Sequence, residues 1–558
     1  MPIPVVPDSG LVGDTAPTAP GTSTDPVRAA ASRRPAAPAL ISDDTTLSWA
    51  ELDTRVEQTA RWLTTVVPGG PDSGGRPRRV AVVLGTDVDF AVTYFGVLRA
   101  GLVAVPLNPA YTADELGHAL TDSGSTLAVT TDEVRDRLAG ASVPAGLSVV
   151  PPRPPAADLT PDPPGAALPA VPDDALAVLL YTSGTGGRPK GAMLTHAALA
   201  ANHRQLARID PPVIGADDVV LLAVPLFHAY GLNTGLGAVA HHGACGVLID
   251  RFEPAASLAA IARHRVTVAV GVPTMVAAWA RRQEAADAMR SLRVAVCGAA
   301  PLDPADATRF TDRTGRPILV GYGLTEAAPV LTTTAVGSTG PAATAKAGSI
   351  GRPLPGVELL LRTADGQVLW RDGSGGGVGV GVGVRDVDGH DGGDDDLDLD
   401  LADSPGTDPG EIVVRGANLF AGYWPDGRDR PDADGWWGTG DIAYADGDGD
   451  LHLVDRIGEL ILVNGFNVYP AEIERVLGEH PGVAEAAVVA VPDPHTGQTP
   501  RAYVVPAVDP APTPAELLAH CAGRLARFKL PTSVAVVAEL PHSAIGKVRK
   551  TQLKEAAP

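Results

Sequence analysis

The chain has 558 residues, 45% of them hydrophobic and 20% charged, and it carries a formal net charge of −21 at pH 7. Because a single hydrophobic core stops growing near roughly 250–300 residues, this length predicts two or three globular domains. The acidic balance argues against a nucleic-acid or anionic-membrane binder, since phosphate surfaces repel it, and it favours a small-molecule substrate.

The cysteines and the apolar segments indicate the cellular compartment of the protein. Cys245, Cys297 and Cys521 are far apart and in no CxxC spacing, so the sequence predicts neither a disulfide framework nor a zinc site. The N-terminus lacks a basic region followed by an apolar run, and no stretch offers about 18 uninterrupted apolar residues. We therefore expect a cytoplasmic protein without a signal peptide or an integral membrane helix.

The first part of the chain predicts an α/β domain behind a short lead-in. Residues 1–38 are rich in Pro, Ala, Thr and Ser without periodicity, which predicts a disordered segment. From Leu47 to about residue 330, helical stretches such as WAELDTRVEQTARWL alternate with apolar runs such as VAVVL and GLVAVPL. This alternation is typical of βα units around a mostly parallel sheet, and we expect one large domain over residues 39–455.

An acidic segment rich in Gly, Val and Asp interrupts this domain at residues 371–408. It offers nothing for a varied core and predicts a solvated insertion. Its flanks, VELLLRTADGQVL and GEIVVRGANLF, have the pattern of strands, so we expect a hairpin whose turn the insertion expands. Residues 456–558 predict a small α+β domain, with helices at PAEIERVLGEH and AELLAHCAGRLARF and strands at VAEAAVVAVP and AYVVPAV.

The acidic residues could instead bind calcium, because calcium takes several carboxylate oxygens as ligands. The candidate positions are the Asp run of the insertion and the group Asp446, Asp448 and Asp450. The segment DGDGD, however, lies between strand-like residues and lacks the helices and the Glu of an EF-hand loop. We therefore expect an ordinary turn there.

The strongest chemical signal is LLYTSGTGGRPKG, where an apolar run ends in Tyr181 and a loop of hydroxyls and glycines follows. Backbone N–H groups, hydroxyls and a Lys together cradle polyphosphate, whereas an ordinary surface turn requires none of them. The loop is not a Walker A motif, since Pro189 precedes the Lys and Gly191 follows it. The predicted phosphate-binding residues are Thr182, Ser183, Gly184, Thr185, Gly186 and Lys190.

This segment resembles the phosphate-binding signature of the adenylate-forming superfamily, which includes acyl-CoA synthetases, luciferases and peptide-synthetase adenylation domains. The resemblance extends over almost the whole chain after residue 38. It implies a large N-terminal domain of several subdomains, a small mobile α+β C-terminal domain, and the use of ATP, Mg²⁺ and coenzyme A.

Two further segments resemble the family's nucleotide-binding signatures. VAVCGAAPL resembles the stretch that packs on adenine, where small residues let the backbone approach a flat base. GYGLTEAAP resembles the next signature, in which Thr325 contacts the α-phosphate and Glu326 holds magnesium, a hard cation that prefers carboxylate oxygen. The residues implied around the adenine are Gly298, Ala299, Ala300, Gly321, Tyr322 and Gly323.

The remaining nucleotide contacts lie near the domain junction and the C-terminus. WWGTGDIAYADGDGDLHLVDRIGELI resembles the ribose-binding region, so that Asp441 would accept from the ribose hydroxyls and Arg456 would assist. LPHSAIGKVRKTQL resembles the closing signature, whose Lys547 would reach the carboxylate and the α-phosphate. Without the resemblance, Asp441 is an ordinary turn residue and Lys547 an ordinary surface lysine.

Residues 464–467, NGFN, resemble the loop that serves thiol attack after the C-terminal domain rotates, with Gly465 and Phe466 toward the pantetheine tunnel. Two positions near this loop depart from the family pattern. The hinge position, which is often Lys or Asp in the family, is occupied here by Gly458, and a position that is commonly Lys in plant-type ligases is occupied by Leu462. Glycine is conformationally permissive, so rotation about Gly458 is not forbidden.

The segment VPLFHAYGLNTGL resembles the wall of the acyl tunnel, with His228 near the carboxylate end and Tyr230 on the wall. A hydrogen-bonded core histidine is the alternative for His228. Gly321, Val272 and the residues after Glu326 are small or apolar, which is consistent with a fatty or aryl acid, and no Asp is placed to hold an amino group.

The predicted activity follows from the negative charges of the two reactants, the carboxylate of the acid and the phosphates of ATP. A carboxyl group with a pKa of about 4 is already ionised near pH 7 and attacks the α-phosphorus without a strong general base. The required groups are cations and N–H donors where negative charge builds, namely Lys190, Thr182, Lys547 and magnesium at Glu326. The sequence thus predicts an AMP-forming acyl-CoA synthetase, monomeric or homodimeric.

Other functions share parts of this machinery. An acyl-AMP ligase that loads a carrier protein has the same first step. A luciferase-like oxidation needs a particular substrate. A non-catalytic nucleotide-binding protein would have lost key residues, whereas Lys190, Glu326, Asp441 and Lys547 are all present.

Overall fold

The computed structural model describes residues 25–42, 45–67, 70–72, 74–153, 168–182, 189–336, 346–372, 406–457, 459–463, 466–493, 496–543 and 546–555. In this part of the chain, the strands form sheets of 14, six and five strands. The two larger sheets build the N-terminal domain, and the five-stranded sheet builds the C-terminal domain. None of the described helices is both long enough and apolar enough to cross a bilayer.

The strands of the N-terminal domain are β1 (Pro38–Ser42), β2 (Thr45–Ser48), β3 (Arg79–Val83), β4 (Val103–Pro106), β5 (Leu127–Thr130), β6 (Ser148–Val150), β7 (Leu176–Thr182), β8 (Lys190–Thr195), β9 (Val219–Leu222), β10 (Cys245–Leu248), β11 (Val268–Gly271), β12 (Val294–Cys297), β13 (Ile318–Gly323), β14 (Val330–Thr333), β15 (Ser349–Pro353), β16 (Val357–Arg362), β17 (Val368–Arg371), β18 (Gly410–Gly416), β19 (Trp436–Ala445) and β20 (Leu451–Arg456).

The helices of this domain are α1 (Pro26–Arg33), α2 (Trp49–Val66), α3 (Val88–Arg99), α4 (Ala113–Ser123), α5 (Asp132–Leu138), α6 (His196–Leu206), α7 (Ala238–His242), α8 (Pro254–His264), α9 (Pro273–Ala280), α10 (Ala285–Ala288) and α11 (Pro304–Thr314), with a π-helix at Tyr230–Gly237 and a 3₁₀ turn at Thr325–Ala327. Local signals fix several helix starts. Ser48 and Glu51 form a reciprocal capping box at α2, which satisfies backbone N–H groups that a helix start leaves unpaired.

The six-stranded sheet has the order β6-β5-β3-β4-β7-β8 and is parallel up to β7. All residues of β3, β4 and β5 are buried, as expected for parallel strands covered on both faces. Strands β7 and β8 are antiparallel, with Thr182 opposite Lys190. The predicted phosphate loop is therefore the connection of a hairpin, and its residues 183–188 lie outside the described part of the chain.

The 14-stranded sheet changes from parallel to antiparallel pairing along its width. Strands β10, β9, β11, β12 and β13 are parallel neighbours, so their carboxyl ends meet at one edge, which is where α/β sheets bind ligands. Gly298 follows β12 at this edge, and Gly321–Gly323 end β13 there. Beyond β13 the order continues as β14-β15-β20-β19-β18-β16-β17 with antiparallel pairing and a core of its own around Leu331, Leu359 and Ile412.

The C-terminal domain contains β21 (Ile461–Val463), β22 (Phe466–Val468), β23 (Val483–Asp493), β24 (Gly497–Pro506), β25 (Ser533–Val536), α12 (Pro470–Gly478), α13 (Pro514–Ala522) and α14 (Lys550–Glu555), with a 3₁₀ turn at Arg527–Lys529. Its core includes Ile461, Ile473, Val504 and Leu517. The helix α13 ends at Ala522, earlier than the predicted stretch. Arg456 still belongs to β20 of the N-terminal sheet, so the expected boundary at residue 456 falls slightly early.

The prediction of a disordered segment over residues 1–38 is wrong from residue 25 onward. The Asp25 side chain accepts the backbone N–H of Arg28 at 3.0 Å and caps α1, which has Pro26 at its start. Val27 and Ala30 are completely buried. Asp25 also forms an ion pair with the distant Arg99 at 2.5 Å. A long-range contact therefore orders a segment whose composition alone is typical of disorder.

The expected hairpin around residues 371–408 has a different topology. Strand β16 pairs with β18 in antiparallel fashion, as a hairpin of the two flanks requires, but it also pairs with β17 on its other side. The segment that contains the insertion therefore connects β17 to β18, which lie on opposite sides of β16. Residues 373–405 of the insertion lie outside the described residues.

The DGDGD segment forms the predicted turn, between β19 and β20. Asp446 accepts the backbone N–H groups of Asp448 and Asp450, each at 3.0 Å. The Lys346 ammonium lies 2.6 Å from the Asp446 carboxylate and 2.8 Å from that of Asp448, and Arg352 pairs with Asp450 at 2.9 Å. Side-chain cations therefore already offset the charge of these carboxylates.

Candidate active site

A cavity of about 1510 Å³ lies where the carboxyl edge of the large sheet, the β7–β8 hairpin and the C-terminal domain meet. It gathers predicted residues that are far apart in sequence. Those that line it are Thr182, His228, Tyr230, Gly298, Ala299, Gly321, Tyr322, Gly323, Thr325, Glu326, Arg456 and Lys547. Ala300, Lys190 and Asp441 are not part of this lining, and Asp441 contacts it through Tyr322 and Arg456.

Small residues shape the cavity floor at the ends of β12 and β13. A Cβ atom on Gly298 would lie 3.2 Å from the Tyr230 ring and 3.3 Å from the Gly321 carbonyl oxygen. Ala299 has φ of +70°, a left-handed conformation that costs free energy for any residue with a Cβ. At Gly323 a Cβ would lie 1.9 Å from the Pro329 carbonyl oxygen, so only glycine fits.

Asp441 is the centre of a buried hydrogen-bonded group. It is 4% exposed, accepts the Tyr322 hydroxyl at 2.6 Å, and forms an ion pair with Arg456 Nε at 2.5 Å. The pairing of β19 with β20 places Asp441 and Arg456 side by side. Burial, and next the Asp441 charge, raises the pKa of Tyr322 well above its usual value, so the Tyr322 hydroxyl stays protonated and donates.

Glu326 is held by a residue that the sequence analysis missed. The carboxylate is 8% exposed, and the Tyr423 hydroxyl donates to its Oε1 at 2.5 Å. Burial, and then the Glu326 charge, raises the pKa of Tyr423. The Lys190 ammonium lies 5.0 Å from the centre of the Tyr423 ring and 3.8 Å from the Asp429 carboxylate. The aromatic run GYW after β18 was the available signal, but nothing local connects it to Glu326.

Lys547 brings the C-terminal domain into the cavity. Its side chain is open to the cavity space yet surrounded by protein, and this burial, together with the charge of Arg456, lowers the pKa of its ammonium group. The preceding Gly546 approaches the N-terminal domain so closely that a Cβ there would lie 3.2 Å from Thr274. Nearby, Lys550 pairs with Glu459 at 2.7 Å and with Glu474 at 2.8 Å, which anchors α14 within its own domain.

His228 lies at the same end of the cavity as Lys547. Its Nδ1 accepts the backbone N–H of Tyr230 at 3.2 Å, so the neutral ring carries its hydrogen on Nε2. Burial, and next the Lys547 charge, lowers the pKa of His228 to about 4, so the ring is neutral near pH 7. The residue is hydrogen-bonded, as a core histidine would be, but it also lines the cavity.

Some predicted residues cannot be placed. Ser183, Gly184, Thr185, Gly186, Gly458 and Gly465 lie outside the described residues. Leu462 belongs to β21 and Phe466 to β22.

The chain matches the model of the AMP-binding enzyme family over residues 27–381 and that of the AMP-binding enzyme C-terminal domain over residues 472–547. The chain belongs to the AMP-binding enzyme family. Similar proteins include a feruloyl-CoA synthase of Amycolatopsis sp, 37% identical over 96% of this chain and 98% of the relative, and a long-chain-fatty-acid–CoA ligase of Yersinia pestis, 32% identical over 93% and 91%.

Solved structures of AMP-binding enzymes agree with this assignment. ATP-bound MatB from Rhodopseudomonas palustris is 28% identical, with a TM-score of 0.80 over 95% of this chain and 98% of that one. MenE from Bacillus subtilis, an o-succinylbenzoate CoA synthetase in complex with its acyl-adenylate, is 28% identical with a TM-score of 0.74 over the same shares. This AMP-binding enzyme is an acid–CoA ligase that works through an acyl-AMP intermediate, with a large α/β N-terminal domain and a small C-terminal domain.

Proposed function

We propose that the protein activates an aryl or fatty acid as acyl-AMP and transfers the acyl group to coenzyme A at the cavity described above. In the first step the carboxylate attacks the α-phosphorus of ATP and pyrophosphate leaves. In the second step the CoA thiol attacks the acyl carbon and AMP leaves. The proposal rests on one observation, the presence of Lys547 from the C-terminal domain in the same cavity as Glu326, His228 and Arg456.

The nucleotide is assigned to the edge formed by β12 and β13. Gly298, Ala299 and Ala300 would border one side of the adenine, and Tyr322 with Gly321 and Gly323 the other, since small residues let a flat base approach the backbone. Asp441 would accept from the ribose hydroxyls, and the Arg456 guanidinium, 2.5 Å away, would hold its carboxylate in place.

The polyphosphate is assigned to the β7–β8 hairpin. Thr182 and Lys190 stand at facing positions of the two strands, with the connecting residues Ser183, Gly184, Thr185 and Gly186 between them in sequence. Backbone N–H groups, hydroxyls and one ammonium group suit three linked phosphates, and Thr325 would contact the α-phosphate.

Glu326 fits a magnesium ion. Its carboxylate is buried and lines the cavity, its Oε1 is fixed by the Tyr423 hydroxyl, and a hard cation takes a carboxylate oxygen together with phosphate oxygens. The ion would offset the charge of the polyphosphate. Because Tyr423 acts on Glu326 through this hydrogen bond, we assign it as a positioning residue.

The acid is assigned to the space beside His228 and Lys547. Its carboxylate is already an anion near pH 7, so the protein needs no strong base and must instead offset two negative charges. The Lys547 ammonium supplies the positive charge, and neutral His228 can donate from Nε2 to a carboxylate oxygen.

The second step is proposed to follow rotation of the C-terminal domain about Gly458. Rotation would withdraw Lys547 and bring the segment with Gly465 and Phe466 toward the pantetheine arm of CoA. Glycine at the hinge permits this change in backbone dihedral angles. We further propose that the enzyme acts in the cytoplasm as a monomer or a homodimer, which light scattering on the purified full chain would distinguish.

The function is tested by pyrophosphate release with ATP and magnesium across short, medium, long-chain and aryl acids, each with and without CoA. Release with one acid class, and a thioester that requires CoA, is the expected result. Absence of release with every acid would contradict the proposal. A second candidate shares the first step, namely loading of a carrier protein, and it predicts adenylate that never becomes a CoA thioester.

A further inference from the structure

Helix α4 borders the cavity beside the β7–β8 hairpin, and the proposed function gives it no role. His118 and several other residues of this helix line the cavity. Leu120 of the helix and Leu179 of β7 belong to one hydrophobic cluster. On another side, a Cβ on Gly117 would lie 2.6 Å from the Ser142 carbonyl oxygen, so the helix also packs closely against the segment that follows α5. The helix is therefore held firmly next to the hairpin.

The first polar contact joins α4 to β7. The Tyr181 hydroxyl donates to Asp122 Oδ2 at 2.7 Å. Burial, and next the hydrogen bond with Asp122, raises the pKa of Tyr181 far above its usual value, so the hydroxyl stays protonated and donates. Tyr181 directly precedes Thr182, the last residue of β7. This contact therefore holds the arm of the hairpin that carries Thr182.

The second polar contact joins α4 to β8. His118 Nε2 lies 3.3 Å from the Pro189 carbonyl oxygen, and since that oxygen can only accept, Nε2 donates. Pro189 directly precedes Lys190, the first residue of β8. His118 and Asp122 are four residues apart and lie on the same face of the helix. One helix face thus holds both arms of the hairpin.

Trp424 adds a third contact between α4 and the hairpin. Its Nε1 donates to the Asp122 carbonyl oxygen at 2.8 Å, and its backbone N–H donates to the Gly191 carbonyl oxygen at 2.8 Å. The side chain is buried, and it directly follows Tyr423, whose hydroxyl holds Glu326. The residues proposed to bind the polyphosphate and the magnesium ion are therefore both linked to α4.

We propose that His118 and Asp122 are positioning residues for adenylation, which hold Thr182 and Lys190 where the β- and γ-phosphates of ATP bind. This inference rests on the proposed function and deepens it. His118 acts through the Pro189 carbonyl group and Asp122 through the Tyr181 hydroxyl. The β- and γ-phosphates leave as pyrophosphate, and acyl-AMP keeps only the α-phosphate. The two contacts therefore serve the first step of the reaction and not the second.

Three variants each remove one side of a contact. Tyr181→Phe removes the donor to Asp122, Asp122→Leu removes the acceptor, and His118→Leu removes the donor to Pro189. Each should lower kcat/KM for ATP in pyrophosphate release, measured with the most active acid, by about 3–10-fold, as expected for the loss of one hydrogen bond. Thioester formation from acyl-AMP supplied in advance should stay within about twofold, because only the step that uses a contact is slowed by its loss.

Conservative variants and a double variant separate positioning from a general effect on folding. Asp122→Asn keeps an oxygen that accepts from Tyr181, and His118→Gln keeps an N–H group near the Nε2 position. Both should retain more of kcat/KM for ATP than the corresponding Leu variants. Tyr181→Phe combined with Asp122→Leu should lose no more than the weaker of the two single variants, because both changes remove the same contact.

Asp114→Leu is the matched control for Asp122→Leu. Asp114 lies on the same helix and lines the cavity, but its carboxylate forms no hydrogen bond with either arm of the hairpin in the described part of the chain. This variant removes the same charge and should keep kcat/KM for ATP near the wild-type value. The apparent Tm of every variant is measured alongside its kinetics.

The outcomes separate this inference from the proposed function. The inference is overturned if the three variants keep the wild-type kcat/KM for ATP, if both steps slow equally, or if Asp114→Leu loses as much as Asp122→Leu. The proposed function stands in each of these cases. If the wild-type protein releases no pyrophosphate with any acid, the proposed function itself fails. Tyr181→Phe removes a single oxygen atom and decides the matter even if a Leu variant does not fold.

Discussion

At the scale of single residues, the activity depends on how charges are held around the cavity. Lys547 comes from the C-terminal domain, Glu326 from the 3₁₀ turn after β13, and the Asp441–Arg456 pair from β19 and β20. Glu326 is held by the Tyr423 hydroxyl and Asp441 by Arg456, so removal of either carboxylate leaves its partner without that contact. The reduction in rate that a substitution causes therefore depends on which of the two reaction steps uses the substituted group.

Lys547→Ala should slow adenylation by about 10²–10³-fold, because it removes a cation from the place where negative charge builds. Thioester formation from acyl-AMP supplied in advance should change little, since Lys547 is withdrawn in the proposed second step. Pyrophosphate release and thioester formation, measured separately, check this split. Lys346→Ala, which removes a lysine outside the cavity, is the control, and equal losses in both steps would contradict the assignment.

Tyr423→Phe should weaken the response to magnesium without removing the aromatic ring beside Lys190. The change deletes the hydroxyl that holds Glu326 Oε1 at 2.5 Å, and loss of such a supporting contact typically costs about 10–100-fold in metal affinity or activity. The half-saturating magnesium concentration for pyrophosphate release is the measurement. Tyr444→Phe serves as the control, because Tyr444 stacks on His452 instead. An unchanged magnesium requirement would show that Tyr423 does not position Glu326.

The residue scale also shows what local sequence can reveal. Asp441 and Arg456 could be predicted together because one continuous segment that contains both resembles the ribose-binding region of the family, and the structure pairs them across adjacent strands. Tyr423 could not be predicted, because its partner Glu326 is 97 residues away and only the folded chain unites them.

At the scale of elements, close backbone packing fixes the end of β13. Gly323→Ala should lower the apparent Tm strongly or prevent folding, since its Cβ would lie 1.9 Å from the Pro329 carbonyl oxygen. Overpacking in such places typically costs about 1–3 kcal/mol or more. Gly321→Ala on the same strand is the control, because its nearest atom would be 3.6 Å away. Equal thermal stability of the two variants at one scan rate would contradict this view.

Helix α1 shows where element prediction fails. Its composition favours disorder, and a helix of this length is only marginally stable by itself. The burial of Val27 and Ala30 and the ion pair of Asp25 with Arg99 supply the missing free energy from distant parts of the chain. The long helix α2, by contrast, carries a capping box and a regular apolar face within its own sequence, and it was predictable.

At the scale of the whole molecule, the alternation of helices and apolar runs predicted the α/β class, and the resemblance predicted the two-domain plan. The route of the chain around β16 was not predictable. Strands β17 and β18 both pair with β16, and no local pattern tells which side each takes.

Replacement of residues 376–402 by a short Gly/Ser linker should leave activity within about twofold and the apparent Tm nearly unchanged. The strands β17 and β18 keep their partner β16, and the free energy of loop closure changes only slowly with loop length. Steady-state kinetics and thermal unfolding of the shortened protein are the measurements. A large loss of activity with normal folding would assign the insertion a role in catalysis.

The most direct test of the acyl-AMP route uses an acid labelled with ¹⁸O in its carboxylate. One carboxylate oxygen becomes the bridge to the α-phosphorus, and attack of the CoA thiol on the acyl carbon leaves that oxygen on AMP. Mass spectrometry of a complete reaction should therefore find AMP with one ¹⁸O and a thioester that retains the other. Unlabelled AMP, or ADP and phosphate as products, would contradict the proposed function.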